Sequence, residues 1–176
     1  RRDGTGLMAT PFAEGGAFIK SEPHLERPDL QLHFCVAVVD DHGRKLHWGY
    51  GFSCHVCVLR PHSRGHVFLQ SRDPLEPPGI DNQFLSDDRD FQLLIKGVKS
   101  MREILRSPAL SAYRHKELYT AEMRTDAEIE QHIRTRADTI YHPVGTCKMG
   151  IDEMAVVDPQ LRVHGLQNLR VVDASI

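Results

Sequence analysis

The stretch "TIYHPVGTCKMG", Thr139 to Gly150, sets a histidine directly before a proline and close to a glycine, a threonine and a cysteine. Proline fixes its own φ and pushes the residue before it toward extended geometry. His142 is therefore held more firmly than most loop histidines, as suits a general acid or base. A histidine that merely packs in a turn would sit on the same bend, so the motif alone leaves both readings open. The other histidines read as structural: His33 and His55 lie on the less apolar faces of predicted strands, and His62 and His66 flank a basic turn. No H-E-x-x-H occurs on a helix, and no metal site is expected. Only His142 combines a constrained backbone with polar neighbours that include Tyr141 and Thr146. The G-x-S-x-G nucleophile motif is absent.

Cys54 and Cys57 form a C-x-x-C, a pattern that raises redox or zinc chemistry. They sit in "GFSCHVCVLRP", which alternates like a strand with Phe52, Cys54, Val56 and Val58 on one face. Residues three apart in a strand point to opposite faces, so buried, inert thiols are expected. "GTGLMA", from Gly4, nominally matches G-x-G-x-x-A. It lacks the strand before and the helix after that a dinucleotide fingerprint needs, and it is rejected.

The elements that must position these groups follow from periodicity. Residues 1–28 read as loop with one short strand around Ala17 to Ile19. "DLQLHFCVAVVD" places Leu30, Leu32, Phe34, Val36 and Val38 on one face, the mark of a strand. "LHWGYGFSCHVCVLRP" reads as a second long strand, and "GHVFLQS" as its hairpin partner. "RDPLEPPGIDNQFL" is a proline-punctuated loop. A helix is predicted from near Ser86, with Asp87 and Asp88 in its first turn and an apolar stripe of Phe91, Leu94, Ile95, Val98, Met101 and Leu105, until Pro108 stops it. "TDAE" opens a second helix, with Thr125 and Glu128 spaced as a capping box and Ile129 and Ile133 facing inward, to about Asp138. "AVVDPQLRVHG" predicts strand, turn and strand, and "NLRVVDAS" a further strand. Antiparallel strands followed by helices covering one face indicate an α+β fold.

The sequence has 176 residues, 40% of them hydrophobic, with 22 basic and 24 acidic side chains. That is enough for one sizeable core, and the balance gives no electrostatic case for nucleic acid. No apolar run approaches the roughly 20 residues that span a bilayer, and no signal-peptide pattern opens the chain. The chain begins Arg1-Arg2-Asp3 and stops behind "LRVVDAS", so a piece of a longer protein is expected.

"YHPVGTCKMG" together with "AVVDPQLRVHGLQNLRVVDAS" closely resembles the C-terminal signature of the glucose-methanol-choline (GMC) flavoprotein oxidoreductases. The likeness continues upstream through "RPDLQLHF", "VLRPHSRGHVFLQSRDP" and "FLSDDRDFQLLIKGVKSMREIL". It implies a substrate-binding domain over residues 1–140. Residues 141–176 would be the signature loop and strands that lead back to an FAD-binding domain. It also implies oxidation of a primary alcohol to an aldehyde, with His142 taking the hydroxyl proton and Tyr141 lining the same pocket. Asp173 and Ala174 would approach FAD, which the absent N-terminal part would mainly hold. Choline is the first substrate the likeness suggests, with Glu14, Trp48 and Tyr50 as candidates to receive its ammonium group. An uncharged primary alcohol is the alternative, and a non-catalytic binding domain is the reading from another class. The partner is a small-molecule alcohol, with no nucleic acid and no metal. The expected location is the cytoplasm or the inner face of the membrane. The family's glycine fingerprint and the usual partner of the histidine both fall outside this chain, so the fragment alone is expected to be inactive.

Overall fold

The computed structural model describes Gly4 and residues 9–176. Thr5 to Met8, the middle of the rejected "GTGLMA" motif, lie outside the described residues. The chain divides into two compact units: Arg1–Ser63 with Leu85–Asp138, and Arg64–Phe84 with Thr139–Ile176.

In the first unit β1 (Gly15–Ile19), β2 (Leu30–Cys35) and β3 (Ser53–Val58) form an antiparallel sheet in the order β1-β2-β3. Leu32 on the central strand stands opposite Ala17 on one side and Val56 on the other. Helix α1 (Asp88–Leu105) packs on β3 and β2, and α2 (Asp126–Arg136) packs on α1. The core is Phe91, Ile95 and Val98 from α1, Met123, and Ile129 and Ile133 from α2, with Val56 against it. Leu30 is fully buried. The expected α+β arrangement, antiparallel strands with helices on one face, is the one observed.

The helix expectations rested on local signals, and the structure places both helices close to them. Asp87 caps α1 by accepting the Arg89 N–H at 2.9 Å, which leaves Asp88 and Asp90 as the first-turn acids. The Asp87 assignment to the first turn is thus corrected by one position. The helix ends at Leu105, and Pro108 opens a 3-10 segment, Pro108–Tyr113. In α2 the capping box closes both ways: Thr125 Oγ1 accepts from the Glu128 N–H, and Glu128 accepts from the Thr125 N–H at 2.8 Å.

The strand expectations need four corrections. β2 covers only Leu30–Cys35, so Val36 and Val38 of the expected apolar face lie beyond it. β3 covers only Ser53–Val58, not the whole of "LHWGYGFSCHVCVLRP". The chain ahead of it is diverted by a buried carboxylate. Asp40, 5% exposed, accepts from His47 Nε2 at 2.6 Å, from the Tyr119 hydroxyl at 2.5 Å and from Arg136. A buried charge must be met by donors, and His47 is spent on this one rather than on a strand. Gly49 then takes a left-handed φ of 110°, which ends regular pairing there.

The segment "GHVFLQS" does not pair with β3. Its strand β4 (His66–Phe68) pairs instead with β5 (Gly79–Asp81), inside the stretch expected to be loop. Asp90, 1% exposed, accepts the N–H groups of His62 and Ser63 at 2.8 and 2.7 Å, and bends the chain away after β3. At Gly79 a Cβ atom would come within 2.4 Å of the Phe68 ring, so only glycine lets that ring cross the strand.

The second unit replaces the expected C-terminal strands with single bridges, Met149 to Val157, Val157 to Val163 and Arg162 to Arg170. Val157 is fully buried at their centre. Asp158 accepts the N–H groups of Gln160 and Arg162, each at 2.9 Å, and turns the chain. Leu161, Gly165 and Asn168 have φ of 66°, 76° and 60°, so no strand runs through.

All four cysteines are free. Burial raises the Cys54 thiol, helped by nearby Cys35, to about 11, and it also raises Cys57. Such thiols are poor nucleophiles, in line with the inert role expected of them.

Candidate active site

The loop around His142 is fixed from both ends by its backbone. On the N-terminal side Tyr141 sits at a φ of 63°, a left-handed conformation that is costly for a bulky side chain. Its N–H donates to Thr139 Oγ1 at 2.9 Å. Pro143 restricts His142 from the other side. Gly145, at a φ of 84°, turns the chain where a side chain would be strained.

On the C-terminal side the Cys147 N–H donates to the Ser175 carbonyl at 2.7 Å, and the Met149 N–H to the Ile176 carbonyl at 2.9 Å. These two bonds join the signature loop to the turn at the end of "VVDAS". Lys148 ties the same segment to the buried Val157 hub, its carbonyl accepting from the Val156 N–H at 2.8 Å. Between the fixed ends His142 is exposed and Tyr141 is 64% exposed.

The turn itself is organised by Asp173. Its Oδ1 accepts both the Ser175 N–H, at 2.8 Å, and the Ser175 hydroxyl, at 2.5 Å. Those two bonds, the hydroxyl first, hold the Asp173 carboxyl below the usual carboxylate range. Asp173 and Ala174 are both exposed.

The structure therefore brings four of the candidate residues, Tyr141, His142, Asp173 and Ala174, onto two segments that are hydrogen-bonded to each other. Glu14 is in the first unit, exposed just ahead of β1. Trp48 and Tyr50 are in the same unit and are 97% and 106% exposed. Sequence reasoning missed Ser175 and the left-handed Tyr141. The D-x-S spacing, which favours a side chain closing on a backbone N–H two residues on, was the available signal for Ser175. Nothing in the sequence marks a tyrosine for positive φ.

The first unit carries a second polar cluster that sequence reasoning also missed. Lys45 Nζ donates to the Tyr119 hydroxyl at 2.8 Å, and the Arg136 guanidinium stacks 3.8 Å from the Tyr119 ring centre. With His47 they surround Asp40 and fasten the Asp40 loop to the end of α2. Among the described residues no group of His, Cys, Asp and Glu is arranged to hold a metal ion.

The match to the GMC oxidoreductase family covers residues 61–176, the span that holds the His142 loop and the Asp173 turn. The chain belongs to that family. Members of the GMC family are FAD-dependent flavoproteins. The chain is 48% identical over 172 residues to an alcohol dehydrogenase (acceptor) of Pseudomonas putida, covering 97% of this chain and 31% of that one. It is 45% identical over 174 residues to an oxygen-dependent choline dehydrogenase of Escherichia coli, covering 98% and 31%. The fold is similar to the crystal structure of pyridoxine 4-oxidase from Mesorbium loti, with a TM-score of 0.85, 30% identity, and 94% and 33% of the two chains covered. The chain thus spans about a third of the length of its GMC relatives.

Among the described residues no dinucleotide-binding fold is present. A dinucleotide needs parallel strands joined through a helix. The sheets among the described residues are antiparallel.

Proposed function

We propose that the longer enzyme carrying this chain oxidises a primary alcohol to an aldehyde, with His142 as the base that takes the hydroxyl proton. The observation that carries this reading is the exposed His142, held between a left-handed Tyr141 and Pro143 on a loop bonded to the Asp173 turn. The family relation supports it, since two similar proteins are named for alcohol and choline oxidation.

Each residue has a role in this scheme. His142 accepts the hydroxyl proton, and its fixed backbone spares the ring the search for the reactive orientation. Tyr141 walls the substrate side of the loop. Asp173 and Ala174 face the FAD, which supplies the hydride acceptor when bound. Glu14 is the group to meet a cationic substrate such as choline. An uncharged primary alcohol needs no such partner and is the alternative. Residues 1–140 are read as the substrate-binding domain and 141–176 as the segment leading back to the FAD domain.

The test uses the full-length flavoprotein without oxygen. It is mixed with choline or, separately, with a medium-chain primary alcohol, and flavin bleaching is followed in the wild type and in His142→Ala. Rapid bleaching by one alcohol that falls by a factor of about 100 or more in the variant supports both substrate class and base. Equal bleaching in the two proteins makes His142 a structural residue.

A further inference from the structure

Asp173 is exposed, yet one of its oxygens is already committed inside the chain. Oδ1 takes both donors of Ser175, the N–H at 2.8 Å and the hydroxyl at 2.5 Å. Ser175 in turn offers its carbonyl to the Cys147 N–H at 2.7 Å. These contacts form a relay of three links: a carboxylate holds the serine's N–H and hydroxyl, the serine's backbone is thereby held, and its carbonyl receives the signature loop. The adjoining bond from the Met149 N–H to the Ile176 carbonyl, at 2.9 Å, runs the same way. The left-handed Tyr141 fixes the other end of the loop. His142 lies between the two ends, so its position depends on both.

We propose that Asp173, besides facing the cofactor, is a positioning residue for His142, acting through Ser175 and Cys147. The proposal rests on the alcohol-oxidising reading above for its kinetic consequence, but not for its structural one. A hydrogen bond of ordinary net strength shifts a local equilibrium by a factor of about 2 to 10. Asp173→Ala removes both bonds to Ser175. Ser175→Ala removes the hydroxyl bond alone, and Ser175→Thr retains a hydroxyl. Because the two residues act in series, the double variant should be no worse than Asp173→Ala.

The experiment uses the full-length holoprotein and two readouts. The first is amide hydrogen exchange of the peptide containing Cys147, by mass spectrometry. The second is the rate of flavin bleaching at saturating alcohol, with flavin content per chain measured alongside. Asp173→Ala is expected to speed exchange at the Cys147 peptide and slow bleaching by about tenfold, while the flavin content changes by less than about twofold. Ser175→Ala gives a smaller change of the same kind, about threefold, and Ser175→Thr regains most of the wild-type rate. Unaltered exchange at Cys147 in Asp173→Ala overturns the proposal. So do additive losses in the double variant, or a slowing that matches lost flavin one for one. Should Asp173→Ala fail to fold, Ser175→Ala and Ser175→Thr decide by the same criteria. If no alcohol bleaches the wild-type flavin, the functional reading fails, and the exchange data still decide whether the relay exists.

Discussion

The carboxylate of Asp90, in the first turn of α1, accepts both the N–H and the hydroxyl of Ser63 at 2.7 Å each. Ser63 spends its own oxygen as an acceptor too, taking the Asp87 N–H at 3.1 Å. One buried acid thus fixes the exit of β3 to the start of a helix distant in sequence.

Removing that acid should be costly. Asp90→Ala leaves the partly buried N–H groups of His62 and Ser63 without their acceptor, and is expected to destabilise the protein by about 1–3 kcal/mol. Asp90→Asn, which keeps one acceptor oxygen, should lose less. The urea midpoint of each variant measures both, and equal midpoints for Asp90→Ala and the wild type would show that the contact contributes nothing.

Asp40 sets an acid limb of stability. Burial pushes its carboxyl upward, but the Tyr119 hydroxyl, His47, Arg136 and Lys45 outweigh that and hold it at about 2. A folded-state value below the unfolded one means that the stabilisation is complete above about pH 4 and drains away as pH falls toward 2. Urea midpoints between pH 5 and pH 2 should therefore fall in the wild type and fall less steeply in Asp40→Asn. The variant should start from a lower value at neutral pH.

At Gly97 two effects compete. Alanine would gain about 1 kcal/mol of helix propensity. Its Cβ would stand 2.8 Å from Val56 Cγ2 and 3.0 Å from Leu30 Cδ2, where crowding of a packed face costs about 1–3 kcal/mol. Gly97→Ala should be destabilising by about 1 kcal/mol net, and less so in a Val56→Ala background. Thermal melts of the two single variants and the double variant supply the comparison.

Tyr141 should tolerate asparagine better than valine. Asparagine adopts positive φ readily, whereas a β-branched residue resists it by about 1–2 kcal/mol. Melting curves that place Tyr141→Val above Tyr141→Asn would contradict the assigned backbone.

The isolated 176-residue chain should emerge colourless from purification and leave alcohols unoxidised. The sheets among its described residues are antiparallel and offer a dinucleotide no cradle. A flavin spectrum that survives gel filtration would refute this.

What could be read from the sequence was local. The stripe of α1, the Thr125–Glu128 box and the start of β2 at Leu30 and Leu32 are each written within a few residues, and each was found in place. The errors cluster where a distant polar group captures the chain. His47 was read as strand because Asp40 and Tyr119 were not in view, and the β3–β4 hairpin was expected because Asp90 lies beyond the turn that it bends. At the candidate site the His-Pro pair announced itself. The bond from Cys147 to Ser175 joins segments too far apart in sequence for any spacing rule to reach.

The two fixed ends of the His142 loop also bear on how such a site can change. The route of the chain from His142 to Thr146 is set by the backbone at Tyr141, Pro143 and Gly145 and by the hydrogen bond at Cys147. The Val144 side chain, at 71% exposure, supplies none of these constraints. Exchanges at Val144 and Thr146 therefore leave the scaffold under the histidine in place.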